Sequence, residues 1–166
     1  MSDPVARYEV QFTADTTEVD KGVARVSDSL SRAAQTASGG KGLAGALSNI
    51  FAGVAQGIDS FDCVSPTRIA RHGAALMPGA KRERVNLRNA RFREDPLPID
   101  ESCDCYCCRN FSRAYLHHLL KAEELLGLQL LTQHNIAVMN RLTREIQAAI
   151  PEGRLGELRK RWVAET

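Results

Sequence analysis

Cys103-Asp104-Cys105-Tyr106-Cys107-Cys108, answered downstream by His134, is the stretch on which the reading of this chain turns. Four of the five cysteines fall within these six positions. Cys103, Cys105 and Cys108 form the pattern C-x-C-x2-C. In an extended segment Cys103 and Cys105 point to the same face, because side chains alternate with a period of two. A turn at Tyr106-Cys107 then swings Cys108 back toward them. His134 is expected at the start of a second helix, and a hairpin of helices returns it over the cysteine loop. Three thiolates and one imidazole make a closed Cys3His set, the donor pattern of a structural zinc site rather than of a catalytic ion with an open position. Zn2+ is therefore the expected cofactor, with Cys103, Cys105, Cys108 and His134 as its ligands. The alternative, a group of spare reduced thiols, is disfavoured because exposed cysteines at this density are a chemical liability. The adjacent His117 and His118 are given no ligand role.

Working outward, the last third reads as helical. Asn110 or Ser112 is placed to cap a helix carrying Tyr115, Leu116, Leu119, Leu120, Leu125 and Leu126, which Gly127 ends or bends. Ile136, Met139, Leu142, Ile146 and Ile150 space a second helix, stopped by Pro151-Glu152-Gly153, and Leu155 to Val163 forms a final basic helix. Upstream, Ser48 caps a helix running through Gln56, with Ile50, Phe51, Val54 and Ala55 on one face. Gly57 stops it. Ile58 to Val64 then reads as a short buried strand closed by Pro66 and followed by a polar loop. Helix, glycine, apolar strand and loop make the rhythm of an α/β unit. Val85 to Asn89 suggests another short strand, and Asp95 to Asp100 an extended connector shaped by its prolines. Residues 1 to about 40 have a different texture. Tyr8 to Thr13 alternates like a strand, Val19 to Ala37 is weakly amphipathic, and Ser38-Gly39-Gly40-Lys41-Gly42 reads as a linker.

The chain has 166 residues, 43% hydrophobic and 25% charged, which suits one soluble domain with or without an extension. A net charge of +2 does not by itself imply a nucleic-acid partner. Its distribution is more informative. Lys81, Arg82, Arg84, Arg88, Arg91 and Arg93 crowd one stretch, with Arg68 and Arg71 just before it. A solvated basic face is the bland reading of this run. No apolar run is long enough to span a bilayer, and the first residues lack the pattern of a secretion signal. Clustered cysteines in a chain with no export signal read as metal ligands rather than disulfides, so a cytoplasmic location is expected.

Gly57-Ile58-Asp59-Ser60-Phe61-Asp62-Cys63-Val64-Ser65-Pro66-Thr67-Arg68, then Asn86-Leu87-Arg88-Asn89-Ala90-Arg91-Phe92, then Cys103 to Cys108, Asn110-Phe111-Ser112-Arg113-Ala114-Tyr115-Leu116 and Thr132-Gln133-His134-Asn135 occur in this order. Together they resemble the C-terminal part of bacterial tRNA-guanine transglycosylase, over roughly Leu43 to Leu155. The resemblance implies a fold of class α/β: the end of a (β/α)8 barrel with a zinc-binding subdomain, the last third predominantly helical. It implies exchange of a guanine base in certain tRNA anticodons for a 7-deazaguanine (preQ1 or queuine), in queuosine biosynthesis. Asp62 corresponds to the family's nucleophile, and such residues sit at the C-terminal ends of barrel strands. A carboxylate attacking ribose C1′ passes through an oxocarbenium-like transition state, as in retaining glycosidases. Asp59 is then structural, and Cys63 a small buried neighbour. Arg68 and Arg71 correspond to arginines that contact the tRNA, where a guanidinium fork suits phosphate and carbonyl oxygens. Cys103, Cys105, Cys108 and His134 match the family's zinc ligands one by one. Cys107 stands where a threonine is common, as a thiol that could compete for metal or oxidise. The implied partners are tRNA, the 7-deazaguanine base, and a second copy or a chain carrying the rest of the barrel.

The resemblance divides the chain into a non-matching extension (1–42), terminal barrel units with the nucleophile strand (43–100), the zinc subdomain (101–155) and a C-terminal helix or tail (156–166). A complete family member is more than twice as long, and its earlier strands hold the second catalytic aspartate and the guanine-recognition residues. Two strands do not close a barrel, so a truncated gene, a broken reading frame or one piece of a split enzyme is expected, inactive alone because the base-recognition residues are missing. The competing readings are a non-catalytic, zinc-stabilised module for tRNA binding or dimerisation, and a remnant without present function.

Overall fold

A computed structural model describes residues 45–164. The strand, helix and linker expected before Leu43 lie outside the described residues. Helix α1 spans Ala46–Ala55 and α2 Ser65–Arg71; strands β1 (Ala74–Leu76) and β2 (Arg84–Asn86) follow, then a 3-10 turn at Ala90–Phe92. Helices α3 (Tyr106–Asn110), α4 (Arg113–Lys121), α5 (Leu125–Ala149) and α6 (Leu155–Trp162) complete the described residues, which are mostly helical.

The 25-residue helix α5 is the spine. At 1.5 Å per residue it runs about 37 Å. Its buried stripe, Gly127, Leu130, Leu131, His134, Asn135, Val138, Leu142, Ile146 and Ala149, recurs at steps of three and four. Leu130 and Leu131 enter one core with Leu116, Leu119, Leu120, Phe92, Ile99 and the cysteines of the cluster. Val138, Leu142, Ile146 and Ala149 enter a second, with Leu47, Ile50 and Phe51 of α1, Ile69 of α2, and Leu158 and Trp162 of α6. His134 and Asn135 sit between the two cores and are fully buried.

Strand β1 explains why two polar side chains belong there. It pairs antiparallel with β2, Ala75 opposite Val85. The flanking bonds, Leu87 N–H to Gly73 O and Met77 N–H to Glu83 O, are both 2.9 Å. The ladder alternation therefore turns the groups of Ala74 and Leu76 away from β2, toward α5. No further strand lies there among the described residues; side chains take its place. Leu76 N–H donates to Asn135 Oδ1 at 2.7 Å, and His134 Nε2 donates to Leu76 O at 2.9 Å. Asn135 Nδ2 donates to Ala74 O at 3.2 Å and to Pro66 O at 2.9 Å.

Several expectations change. Ile58 to Val64 is not a buried strand: it is irregular, with Phe61 41% and Val64 54% exposed. A barrel strand draws its hydrogen bonds from neighbours on both sides, and among the described residues there are none for this segment. The polar loop expected after Pro66 is helix α2, with the proline in its first turn, where a missing N–H costs nothing. Helix α1 begins at Ala46 rather than at Ser48, because the buried Glu83 supplies the cap. Its carboxylate accepts from Leu47 N–H at 2.8 Å and Ser48 N–H at 3.0 Å. The first helix of the last third stops at Lys121, with Glu123 at φ 59, so Leu125 and Leu126 open α5 instead. Gly127 lies in the first turn of α5, and His134 lies well inside that helix rather than at its start. Leu125, Leu126, Ile136 and Ile150 fall off the buried stripe and are exposed. Ser112 does cap α4, accepting from Tyr115 N–H at 3.2 Å, and α6 forms as expected.

Candidate functional site

Backbone conformation brings the three matched cysteines together. Cys105 is extended and caps α3, its sulfur accepting from Cys108 N–H at 3.4 Å. The short helix thus lifts Cys108 Sγ back beside Cys105, the turn expected at Tyr106-Cys107. From the facing helix, His134 Nδ1 lies 3.8, 3.5 and 3.3 Å from the sulfurs of Cys103, Cys105 and Cys108. All four donor atoms lie within 4.8 Å of one another. A tetrahedral ion with Zn–S about 2.3 Å and Zn–N about 2.05 Å separates S from N by about 3.6 Å. The observed spacings bracket that value.

The tautomer agrees with this geometry. A carbonyl oxygen only accepts, so the bond to Leu76 O places the imidazole proton on Nε2 and leaves the Nδ1 lone pair facing the sulfurs. Hydrogen bonds from the Cys103 and Cys108 side chains hold the Cys105 thiol down to about 3. Hydrogen bonds with Cys103 and Cys105, reinforced by burial, push the Cys108 thiol up. The opposite shifts mark thiols close enough to share protons, a set of soft donors that a divalent cation would suit. The donor set, its spacing and the imidazole tautomer all fit a metal. Cys107 is not part of it. It is fully buried in the adjacent core, and burial, then the charges of Cys105 and Cys103, pushes its thiol up to about 12.

Two ion pairs lock the loop that delivers Cys103. Arg141, about two turns beyond His134 on the same side of α5, bonds Asp100 Oδ2 at 3.0 Å and Ser102 O at 3.1 Å. Arg113 of α4 bonds Asp95 Oδ2 at 3.0 Å and Ile99 O at 2.9 Å. Burial alone would raise the Asp100 carboxyl. Hydrogen bonds from Ser102 and Arg141 outweigh it and hold the group below its usual value of 3.8. Sequence reasoning missed Arg141, Arg113, Asn135 and Glu83 as organising residues. A signal existed for Arg141, whose spacing from His134 puts both on one helix face. None existed for Glu83, which acts across 36 positions.

Asp62 and Cys63 are exposed in the segment between α1 and α2. Cys63 is thus not the buried neighbour expected, because the irregular backbone turns it to solvent. The Phe61 ring rests on α1 where Gly53 leaves room; a Cβ on Gly53 would stand 2.6 Å from a ring carbon. Arg68 and Arg71 are exposed in the last turn of α2. His117 is buried with Nδ1 2.7 Å from Leu87 O, and His118 is exposed; neither joins the thiols. No described helix is long and apolar enough to cross a membrane.

The family model described as queuine tRNA-ribosyltransferase matches residues 42–166, through the final helix. A queuine tRNA-ribosyltransferase of Roseiflexus sp. (strain RS-1) is 51% identical over 120 residues, 72% of this chain and 30% of that protein. One from Symbiobacterium thermophilum is 52% identical over 124 residues, covering 72% and 30%. One from Synechococcus elongatus is 56% identical over 110 residues, covering 66% and 28%. The chain thus spans about 30% of the length of these curated relatives.

Proposed function

The chain belongs to the queuine tRNA-ribosyltransferase family, and we propose that it supplies the nucleophile segment and zinc subdomain of a tRNA-guanine transglycosylase barrel. The observation that carries this reading is the buried Cys3His tetrad, standing inside the matched segment with the spacing a tetrahedral ion requires. Cys103, Cys105, Cys108 and His134 would hold Zn2+, which braces the loop and helix and takes no part in bond making.

In the proposed reaction an Asp62 carboxylate oxygen attacks ribose C1′ of the target guanosine. The C1′–N9 bond breaks, its electron pair leaves with guanine, and N9 takes a proton from an acid elsewhere in the barrel. The aspartyl ester keeps the ribose activated. N9 of the incoming 7-deazaguanine then attacks C1′ and loses its proton, and the Asp62 carboxylate departs. The exposure of Asp62 leaves it accessible, and Arg68 and Arg71, exposed in the last turn of α2, would hold phosphates of the tRNA. A barrel completed by other strands would supply the acid and the base-recognition groups, in the cytoplasm where tRNA is modified.

One observation favours the alternative, a non-catalytic zinc-stabilised module for tRNA binding or dimerisation. The Asp62 segment is irregular here, whereas Tyr106 (57% exposed), Phe111 and Tyr115 (39% exposed) form an aromatic row able to cover a partner surface. Affinity capture from the native cell, followed by exchange of labelled guanine into tRNA, separates the two. The enzymatic reading expects exchange by the captured complex, abolished by Asp62→Asn, and one zinc per chain, lost in Cys105→Ser. Exchange that survives Asp62→Asn, or a folded chain that purifies metal-free, refutes it.

A further inference from the structure

A groove of about 750 Å3 runs between the turn joining β1 to β2 and helix α6. Lys81 and Arg82 line it from the turn, Arg159 and Lys160 from the helix. All four are exposed, and none forms an ion pair with another described residue. Their neighbour Arg161 behaves differently, bonding Glu145 at 2.6 Å. Among the described residues the only acid in the lining is Glu83, and each of its oxygens is engaged by an N–H of helix α1. Its charge is thereby committed to a helix N-terminus, where a carboxylate is favoured. The groove is thus one-signed, in a chain whose net charge is only +2.

We propose that this groove is a second contact surface for the phosphodiester backbone of RNA, additional to Arg68 and Arg71. The inference rests on the reading of the chain as part of a tRNA-modifying protein. Four exposed cations on two opposed walls, with the buried Glu83 committed to helix α1, suit an extended polyanion rather than a single small anion. The walls are low, built of Gly45, Ala80 and Gly156, and this lets a backbone approach closely. A concave cleft also suits a strand better than a flat lipid surface. The basic run noted in the sequence is therefore divided in space. Lys81 and Arg82 face the groove, while Arg88 bonds Leu120 O at 2.9 Å and Arg91 lies over the Phe92 ring.

Gly156 provides a test that spares the fold. A Cβ there meets nothing within 4 Å, and the position lies in the first turn of α6. Gly156→Glu places an acid in the groove at a site where helix propensity and the helix dipole both favour it. The probe is fluorescently labelled tRNA, its binding followed by anisotropy at several salt concentrations. The quadruple variant Lys81→Ala/Arg82→Ala/Arg159→Ala/Lys160→Ala should reduce the slope of log K against log salt by about two to four. Gly156→Glu should weaken binding about tenfold, with a melting temperature equal to or above wild type. If both variants bind as wild type while Arg68→Ala/Arg71→Ala does not, the groove is overturned and the tRNA reading stands. If the wild-type chain does not bind tRNA at all, both fall. Preference for phosphatidylserine vesicles over tRNA overturns the groove as an RNA site and assigns it to a membrane surface.

Discussion

Asn135→Leu is the most searching substitution the structure offers, because it keeps the number and branching of the side-chain heavy atoms while removing every hydrogen bond. Asn135 is fully buried and satisfies three backbone groups: Leu76 N–H, Ala74 O and Pro66 O. Those residues are themselves buried, so water cannot easily replace the amide. A buried backbone group left unpaired costs about 1–3 kcal/mol. Three of them, with partial relaxation, put the expected loss at about 3–6 kcal/mol. A small domain has only about 5–15 kcal/mol in all. Asn135→Asp separates bonding from size. Aspartate still accepts from Leu76 N–H, but it has no donor for the two carbonyls and brings a buried charge against them. It should therefore be at least as damaging as Leu despite being nearly isosteric with Asn. Urea denaturation of the zinc-loaded chain, compared at equal slope, gives the difference directly. A loss under about 0.5 kcal/mol in Asn135→Leu, or wild-type stability in Asn135→Asp, would show that the side-chain bridge to β1 does not hold the two cores together.

Thiol chemistry offers a second check. The native zinc-loaded chain should take up a single iodoacetamide label at pH 8, read by mass spectrometry, and Cys63→Ser should abolish it. Cys63 is the exposed cysteine, whereas Cys107 is buried with its thiol pushed up to about 12. Labelling at Cys107 would contradict its placement. Cys107→Ala should keep one zinc per chain and cost about 1 kcal/mol; metal loss would make it a ligand after all. Acid titration tests the loop anchor. The folded-state pKa of Asp100 lies below its ordinary 3.8, so its pairing contributes stability that is complete above that value and is lost as pH falls through the lower, folded one. The stability gap between wild type and Asp100→Asn should therefore be constant near neutrality and close below pH 3.8. A gap that persists through that range would assign Asp100 a purely steric role.

The parts of this protein that were legible in its sequence are those whose partners lie close in the chain. The cysteine cluster closes across one short helix, and the period of α4 is carried by Leu116, Leu119 and Leu120. The cap at Ser112 and the stop at Pro151-Glu152-Gly153 are likewise local chemistry. What was not legible depends on distant atoms. Glu83 overrides Ser48 at the start of α1 because its carboxylate arrives from a turn far along the chain. Asn135, adjacent to His134, looked like one more polar residue on a helix. Its task is visible only once the unpaired edge of β1 lies against it. The apolar run Ile58 to Val64 has a strand's composition, yet composition cannot supply the neighbours a strand bonds to.

That difference also separates the two halves of the candidate site. The donor tetrad is complete within residues 103–134, and the same imidazole that faces the sulfurs fastens α5 to Leu76 through its other nitrogen. A metal held there would therefore be coupled to the packing of β1, because any rotation of His134 away from the sulfurs would also strip the acceptor at Leu76 of its donor. Asn135 extends the connection to Pro66, at the head of the helix bearing Arg68 and Arg71 and just beyond Asp62. The Asp62 segment has no such closure. It is held at one end by Phe61 on the bare face of Gly53 and at the other by α2, with exposed backbone between. A nucleophile needs its carboxylate fixed to a fraction of an ångström. Those two anchors cannot provide that by themselves. The chemistry proposed for Asp62 therefore requires strands on either side of Ile58 to Val64, whereas the metal centre should assemble with no help from them.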